Sequence, residues 1–315
     1  MTSATDEIDG TERVAKVIAR SGLASRREAE KIVADGRVQV NGSVVHHPGH
    51  PVRAGVDDIR VDGKPIRGEA PKIWFLLYKP KGYITSRNDP DGRPSVMDLI
   101  GNMDSRVEPV GRLDMDTEGA LLFTNEGDIA HKLTHPSSQV PKRYLAKVWK
   151  TPTDKTLERI QHGIKLEDGF TGPCRARVVD NTDGGNAWME ITVTEGRNRL
   201  IRRLFEAVGH PVSKLRRESF ATISIRGLER GELRALTQIE IDRLHEIAEG
   251  RDPRDAGHGS HYKEGFAKAK PKYSPLRQRK QAARKAAGGR AATKSPVGGK
   301  GGGKGPAGKG GGPRR

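Results

Sequence analysis

The chain has 315 residues, which is enough for one or two domains, but only 33% of them are hydrophobic and 39 are Gly, so we expect part of the chain to lie outside any core. Its net charge of +17 is concentrated at one end, because residues 251–315 hold 18 Lys and Arg against 3 Asp and Glu. The single cysteine, Cys174, excludes an internal disulfide and a cysteine-based metal cluster. We expect a cytoplasmic protein, since no apolar run is long enough to span a membrane and residues 1–9 lack the pattern of a secretory signal.

Residues 1–10 are polar and predicted to be disordered, and residues 11–68 form a small predicted domain. Ser25 and Glu28 have capping-box spacing, which marks the start of a helix. The predicted elements of this domain are a helix over 11–20, a helix from Ser25 that ends at Gly36, a β-hairpin over 37–45 that turns at Asn41-Gly42, and a strand at 59–61.

Residues 72–250 predict a larger α+β domain, and residues 251–315 are a basic Gly-, Lys- and Arg-rich tail without predicted structure. The predicted strands are Ile73–Tyr78, Ala120–Thr124, Tyr144–Val148, Ala187–Val193 and Thr222–Ile225. The predicted helices are Asp154–His162, Arg199–Val208 and Ile239–Ala248. A tail of this charge is attracted to phosphate in a salt-dependent way.

Arg13, Lys16 and Arg20 share one face of the first predicted helix, and Arg26 and Arg27 open the second. The alternatives are an ordinary solvated surface or a phosphate-binding surface. Their sequence context is Arg13-Val-Ala-Lys…Ser21-Gly-Leu-Ala-Ser-Arg-Arg-Glu-Ala…Gly36-Arg-Val-Gln-Val-Asn-Gly. This stretch resembles the S-four type of RNA-binding domain, and the resemblance implies that these residues bind RNA.

A second segment combines a polar, glycine-bounded loop with an apolar strand: Gly111-Arg-Leu-Asp-Met-Asp-Thr-Glu-Gly-Ala-Leu-Leu-Phe-Thr-Asn125. An Asp in such a loop is usually a turn or capping residue, and the pair Asp114 and Asp116 is a weak metal signal without further ligands. The segment resembles the catalytic motif of the RsuA/RluB family of pseudouridine synthases. In that motif the catalytic aspartate corresponds to Asp114.

Three further segments match the motifs of that family in the same order along the chain. They are Lys79-Pro80-Lys81-Gly82-Tyr83, then His135-Pro136-Ser137 with Lys142-Arg143-Tyr144, then Glu195-Gly-Arg-Asn-Arg-Leu-Ile-Arg-Arg-Leu-Phe205 with Gly209-His210. One position departs from the pattern: Leu200 stands where many relatives have a polar residue. The two resemblances together imply an α+β protein with an S-four-type domain, then a pseudouridine synthase domain with a mixed, mainly antiparallel sheet and flanking helices, and then a disordered basic tail.

The chemistry that the resemblance implies needs neither a cofactor nor a metal. The uracil ring leaves its ribose at N1, turns and rejoins through C5, so the uridine must be flipped out of any helix or already unpaired. The resemblance implies that Asp114 is the catalytic carboxylate, that Arg202 pairs with it and that Tyr144 stacks on the uracil. Tyr144 is otherwise a core aromatic residue, and Arg202 otherwise a phosphate contact.

The remaining expected RNA contacts are basic residues of the motifs: Lys79, Arg112, Arg197, Arg199 and Arg203. Lys79 either orders the end of a strand or touches the RNA backbone. His135, His210 and Cys174 are expected to be structural.

The expected substrate is ribosomal RNA, and the motif wording and the tail favour 23S RNA of the large subunit, free or in an assembly intermediate. The alternatives are a synthase for 16S RNA of the small subunit, a non-catalytic ribosome-assembly factor, and a nucleic-acid-condensing protein suggested by the tail. The motif residues Asp114, Tyr144 and Arg202 are all present, which favours an enzyme. We expect a monomer without a membrane partner.

Overall fold

The computed structural model describes residues 10–66, 68, 70–87, 89–101, 106–182 and 185–251. The predicted disorder of residues 1–9 and of the basic tail from residue 252 onward lies outside the described residues. Within the described ranges, no helix has the length and apolarity needed to cross a bilayer.

The N-terminal domain packs two helices against a small antiparallel sheet. Its elements are β1 Glu12–Arg13, α1 Val14–Arg20, α2 Arg26–Ala34, β2 Val38–Val40, β3 Ser43–Val45, β4 Pro51–Val52, β5 Ile59–Val61 and β6 Lys64–Pro65. The sheet order is β3-β2-β5-β6, and β1 pairs with β4. The predicted hairpin is confirmed, because Asn41 and Gly42 turn with φ of 50° and 83° between β2 and β3.

The second helix begins and ends where the sequence predicts. The Ser25 hydroxyl accepts from the Glu28 amide while the Glu28 carboxylate accepts from the Ser25 amide, which completes the capping box. Gly36 follows the helix with φ +71°. The predicted start of the first helix at residue 11 is wrong, since Glu12 and Arg13 are extended and pair with β4.

Nine of the described strands of the second domain form one mixed sheet. The strands of this domain are β7 Trp74–Lys79, β8 Glu108–Val110, β9 Glu118–Thr124, β10 Lys142–Val148, β11 Lys165–Leu166, β12 Gly169–Phe170, β13 Arg175–Thr182, β14 Asn186–Val193, β15 Val212–Phe220, β16 Ile223–Ser224 and β17 Leu233–Ala235. The central order is β13-β14-β10-β15-β9-β7-β17, with β8 on β9 and β16 on β15. The small strands β11 and β12 pair with each other.

The helices of this domain are α3 Val96–Ile100, α4 Gly127–Thr134, α5 Asp154–His162, α6 Leu200–Ala207 and α7 Gln238–Ala248, with a 3-10 turn at Pro136–Ser138. Helix α6 packs on the sheet through an apolar stripe of Leu200, Ile201, Leu204 and Phe205, all buried. Leu200, the departure from the family pattern, therefore fills the core at the first turn of α6.

The sequence did not predict β15, which is the longest of the described strands and carries the most charged residues. Strand β15 carries Lys214, Arg216, Arg217 and Glu218, so it lacks the apolar composition of a central strand although it lies between β9 and β10. The predicted strand over 222–225 shrinks to β16, which folds back on β15. Strand β13 and helix α4 were missed as well.

The contact between β9 and β15 is the parallel pairing in a sheet whose other described pairings are antiparallel. It requires Gly119, whose φ is +124° and whose hypothetical Cβ would lie 2.2 Å from the backbone oxygen of Arg217. A side chain at this position would force β9 and β15 apart, because the clashing atoms are backbone and cannot rotate away.

We expect Gly119→Ala to lower the free energy of unfolding by about 3 kcal/mol, since it adds both a backbone clash and a strained φ. Urea denaturation followed by tryptophan fluorescence measures this change. The matched control is Gly127→Ala, where the added Cβ meets nothing within 4 Å and the glycine begins a helix. Equal stability of the two variants would contradict the assigned role of Gly119.

Candidate functional site

A cleft of about 590 Å³ opens on one side of the large sheet. Its walls include the segment between β7 and α3, the loop before β9, the first half of β10, the loop before α6 and the second half of β15. These elements bring Asp114, Tyr144, Arg199 and Arg217 to one cavity. The cleft is therefore built from segments that lie far apart in the sequence.

Hydrogen bonds to its backbone hold the loop that carries Asp114. Thr85 Oγ1 donates to the Leu113 oxygen at 2.8 Å and accepts from the Leu113 amide at 3.2 Å. The Thr117 amide donates to the Asp114 oxygen at 3.1 Å, which closes a turn around Met115 and Asp116. The Asp114 side chain, which is 35% exposed, is thus presented to the cleft by a fixed backbone.

Lys79 lies under this loop at the end of β7. Its ammonium donates to the backbone oxygens of Thr117 at 2.8 Å, Asp114 at 3.0 Å and Pro80 at 3.1 Å. Burial lowers the pKa of Lys79 to about 8, while the charges of Asp114 and Asp116 oppose that shift. Lys79 is therefore protonated at neutral pH, and its ammonium links the Asp114 loop to the end of β7.

The prediction that Lys79 contacts RNA is wrong, because none of this residue is exposed to solvent. The other reading of the sequence, that Lys79 orders a strand end, agrees with its three backbone acceptors.

Two carboxylates of the loop face two arginines of the third motif. Arg202 Nη2 lies 2.9 Å from Asp116 Oδ2, and Arg199 Nη1 lies 3.7 Å from Asp114 Oδ2 and 3.5 Å from Asp116 Oδ1. The expected pairing of Arg202 with Asp114 is therefore wrong in this structure. The reason is geometric: Arg202 also donates to the Val212 and Asp116 backbone oxygens, which hold its guanidinium at Asp116.

Tyr144 projects from β10 into the same cleft. It stands opposite Ile191 of β14 and Arg217 of β15 in the two ladders, and it packs half-buried between two hydrophobic clusters. Because its ring also lines the cleft, Tyr144 is both a packing residue and a cleft residue.

The predicted RNA contacts of the third motif differ in their surroundings. Arg197 pairs with Glu195 at 2.8 Å and with Asp168 at 3.1 Å, and Arg203 pairs with Asp168 at 2.9 Å. Arg197 of the loop before α6 and Arg203 of α6 therefore both contact the turn between β11 and β12. Arg112 and Arg199, in contrast, are exposed at the cleft.

The basic residues of the N-terminal domain are partly engaged within the chain. Arg20 makes a two-pronged ion pair with Glu12, with both distances 2.7 Å. Lys16 and Arg26 reach Asp128 of α4, at 3.4 Å and 2.6 Å.

Arg13 and Arg27 are exposed, and Arg106 of the second domain contacts Glu28 at 2.8 Å. Ion pairs thus join the basic helix face of the N-terminal domain to the second domain.

Two buried basic residues of the cleft were not singled out by the sequence analysis. Arg217 is 2% exposed and Lys142 is 8% exposed, and both line the cavity. Burial, followed by the charge of Arg217, lowers the pKa of Lys142 to about 8. The sequence could have indicated the burial of Arg217, because side chains two residues apart in a strand face the same side and Leu215 is apolar.

The residues expected to be structural have ordinary packing roles. His135 Nδ1 lies 2.7 Å from the Ser137 hydroxyl in the 3-10 turn, and His210 Nδ1 lies 3.0 Å from the Trp149 oxygen. The Cys174 thiol donates to the Ile160 oxygen at 3.2 Å, and burial raises its pKa to about 11. A thiol with this pKa is a poor nucleophile near neutral pH.

Comparison with protein-family models gives two matches in chain order. Residues 12–58 match the S4 domain, and residues 73–207 match the RNA pseudouridylate synthase model. The second match spans the segments that build the cleft up to α6.

Relatives and solved structures agree with these matches. The chain is 45% identical over 239 residues to Ribosomal large subunit pseudouridine synthase B of Bacillus subtilis, covering 76% of this chain and 97% of the relative. It is 37% identical to the protein of the same name from Yersinia pestis, covering 77% of this chain and 81% of the relative.

A solved structure described as a pseudouridylate synthase superposes with a TM-score of 0.54 at 28% identity, covering 74% of this chain and 99% of the other. Because close relatives are matched over almost their whole length and both domains appear in order, the chain belongs to the RNA pseudouridine synthase family.

Proposed function

We propose that this protein converts one uridine of ribosomal RNA, in the large subunit, to pseudouridine, with Asp114 as the catalytic carboxylate and without a cofactor. The observation that carries the proposal is the Asp114 carboxylate, held by a fixed loop at a cleft that also contains Tyr144. Ribosomal RNA as substrate is supported by the relatives from three bacteria that are named for the large ribosomal subunit.

The cleft suits a single nucleotide that has left its helix. Its volume of about 590 Å³ lies in the range of roughly 300–1,000 Å³ that is usual for small-molecule sites. A base within a duplex does not reach Asp114, so the target uridine enters unpaired or flipped. The aromatic face of Tyr144 then gives the uracil ring a stacking surface.

The reaction is an isomerisation, so its atoms and electrons balance without a second reactant. The bond between the ribose C1′ and N1 breaks with its electron pair going to uracil, and a bond from C1′ to C5 forms after the ring turns. The C5 proton is lost and N1 gains a proton. Asp114 serves this sequence as nucleophile or base, and Arg199 and Arg202 hold the two loop carboxylates from the side of α6.

The RNA backbone needs basic residues outside the cavity. Arg112 and Arg199 are exposed at its rim, and Arg13 and Arg27 are exposed on the N-terminal domain. We assign these residues to phosphate contacts. Arg197 and Arg203 act through Asp168 by fixing the loop before α6.

Pseudouridine mapping of ribosomal RNA from cells that lack the gene tests this function. We expect one large-subunit uridine to lose its modification, and we expect wild-type protein, but not Asp114→Asn, to restore it. Loss of a small-subunit site instead would retain the enzyme and overturn the choice of subunit. No change at any site would contradict the proposed function.

We expect Lys79→Met to lower the single-turnover rate constant 10- to 100-fold with little change in RNA affinity, since the Asp114 loop loses its three-way tether. The control is Lys81→Met, which removes an exposed lysine two residues away. Rates and affinities are measured on an RNA fragment that carries the mapped uridine. A loss of affinity in Lys79→Met with a normal rate at saturating enzyme would show that Lys79 binds RNA instead.

We expect Asp128→Asn to tighten RNA binding about 2- to 5-fold at low salt, because it releases Lys16 and Arg26 from an exposed ion pair with a combined strength of about 1 kcal/mol or less. Asp180→Asn is the control, since it makes the same change of charge at an exposed position of β13. Equal affinities in the two variants would mean that the contact with α4 does not compete with RNA.

A further inference from the structure

Arg217 is a buried cation at the centre of the site to which the family motifs quoted above assign no role. It lies in the middle of β15, where it stands opposite Tyr144 on one side and Gly119 on the other. Residues directly opposite each other in an antiparallel ladder project to the same face of the sheet, so Arg217 and Tyr144 enter the cleft side by side. Both residues line the cavity that Asp114 faces.

The guanidinium of Arg217 has fewer partners than its burial requires. Its Nε donates to the Ala120 oxygen at 2.8 Å. Among the residues that the structure describes, neither Nη1 nor Nη2 has a hydrogen-bond acceptor, and Nη2 is shielded from solvent. None of the described carboxylates forms an ion pair with it. Because a buried, unpaired guanidinium is costly, this arrangement favours a ligand that brings acceptor atoms or negative charge.

A second buried cation strengthens the positive potential at this part of the cleft. Lys142 donates to the Val140 and Thr194 backbone oxygens, each at 2.9 Å, and has no carboxylate partner within the described ranges. Both cations lie near the Phe220 ring, whose centroid is 5.2 Å from the Arg217 guanidinium carbon and 5.6 Å from Lys142 Nζ. This part of the cleft lining therefore combines an aromatic ring with two positive charges.

The position of Arg217 distinguishes between the parts of a nucleotide that could meet it. Arg112 is an exposed arginine of the cleft lining, a position suited to a phosphate of the RNA backbone. Arg217 is only 2% exposed and stands beside Tyr144, the residue proposed to stack on the base. Arg217 is therefore positioned to meet the base and not the RNA backbone. The acceptors of a uracil ring at this level are its carbonyl oxygens O2 and O4.

These oxygens gain negative charge during the reaction. When the bond from C1′ to N1 breaks, the electron pair stays on the uracil ring and is delocalised from N1 onto O2 and O4. A fixed donor that meets this charge in a site of low polarity stabilises the transition state more than the ground state.

We propose that Arg217 is a further catalytic residue, whose guanidinium donates a hydrogen bond to a carbonyl oxygen of the target uracil and stabilises the ring as it detaches. The proposal rests on the proposed function, since it names what one more residue of the same site does. It assigns stabilisation of the departing uracil ring to Arg217, while Asp114 acts on the nucleotide as nucleophile or base.

The test uses the full-length protein and the RNA fragment that carries the mapped uridine. We expect Arg217→Gln to lower the single-turnover rate constant at saturating enzyme about 100-fold, while the Kd for RNA changes less than 3-fold. Arg216→Gln is the matched control, because it removes a neighbouring arginine of β15 that projects to the other face and pairs with Glu218. Thermal melting of each variant establishes that it is folded.

Replacing one uracil oxygen by sulfur gives a readout that a merely structural role would not change. Sulfur is a weaker hydrogen-bond acceptor, so we expect 2-thiouridine or 4-thiouridine at the target to slow the wild-type enzyme, and the same replacement to slow Arg217→Gln no further. If Arg217→Gln does not fold, the cycle is run with Arg217→Lys, which keeps the charge but not the planar donor fork.

If each sulfur replacement slows Arg217→Gln as much as it slows the wild-type enzyme, the proposal is overturned. It is also overturned if Arg217→Gln loses RNA affinity but keeps the wild-type rate at saturation, because that result would place a phosphate at Arg217. A wild-type enzyme that neither replacement slows would overturn it without any variant. Wild-type protein that leaves the unmodified fragment unconverted would instead overturn the proposed function.

Discussion

The buried ammonium of Lys79 is the interaction on which the site depends. It replaces the water it has lost with three backbone oxygens, and two of these belong to the loop that presents Asp114. A charged donor removed from water is tolerated only where its acceptors are fixed, so the charge and the loop conformation support each other. With the pKa of Lys79 lowered to about 8 by burial, this support rests on a proton that is retained at neutral pH and released as the pH rises above that value.

The sheet supplies the second constraint. The parallel contact of β9 with β15, made possible by the absence of a side chain at Gly119, brings the end of the Asp114 loop next to Arg217. The antiparallel contact of β15 with β10 then places Tyr144 beside Arg217. Helix α6 completes the arrangement with Arg202, whose guanidinium pairs with Asp116 of the same loop. The cleft is thus a product of strand order, and its lining residues come from several segments that are far apart in the chain.

The sequence predicts those parts of the fold that depend on a few neighbouring residues. The capping box at Ser25 and the Asn41-Gly42 turn depend on a few neighbouring residues, and both are confirmed. The family motifs likewise identified the segments that bring Asp114, Tyr144 and Arg199 to the cleft. Strand β15 was missed because local propensity argues against a central strand with four charged residues, and only its neighbours in the sheet bury Arg217.

The sequence also could not predict which charged residues form ion pairs with each other. The motifs placed Arg202 near a loop carboxylate, but the choice between Asp114 and Asp116 depends on a backbone contact with Val212 at the start of β15, outside the motifs. The burial of Lys79 was also beyond the motif itself, because a lysine at the end of a strand is usually exposed. Tertiary packing, rather than residue type, decided that this lysine holds a loop.

The central claim is that the carboxylate of Asp114, and not that of its neighbour Asp116, performs the chemistry. Single-turnover conversion by purified Asp114→Asn and Asp116→Asn, each saturated with the same RNA fragment and each checked for RNA affinity, tests it most directly. We expect Asp114→Asn to bind RNA normally and to give no detectable pseudouridine, while Asp116→Asn, which loses a carboxylate partner of Arg202 and Arg199, still turns over at a reduced rate. Conversion by Asp114→Asn at a rate equal to or above that of Asp116→Asn would contradict it.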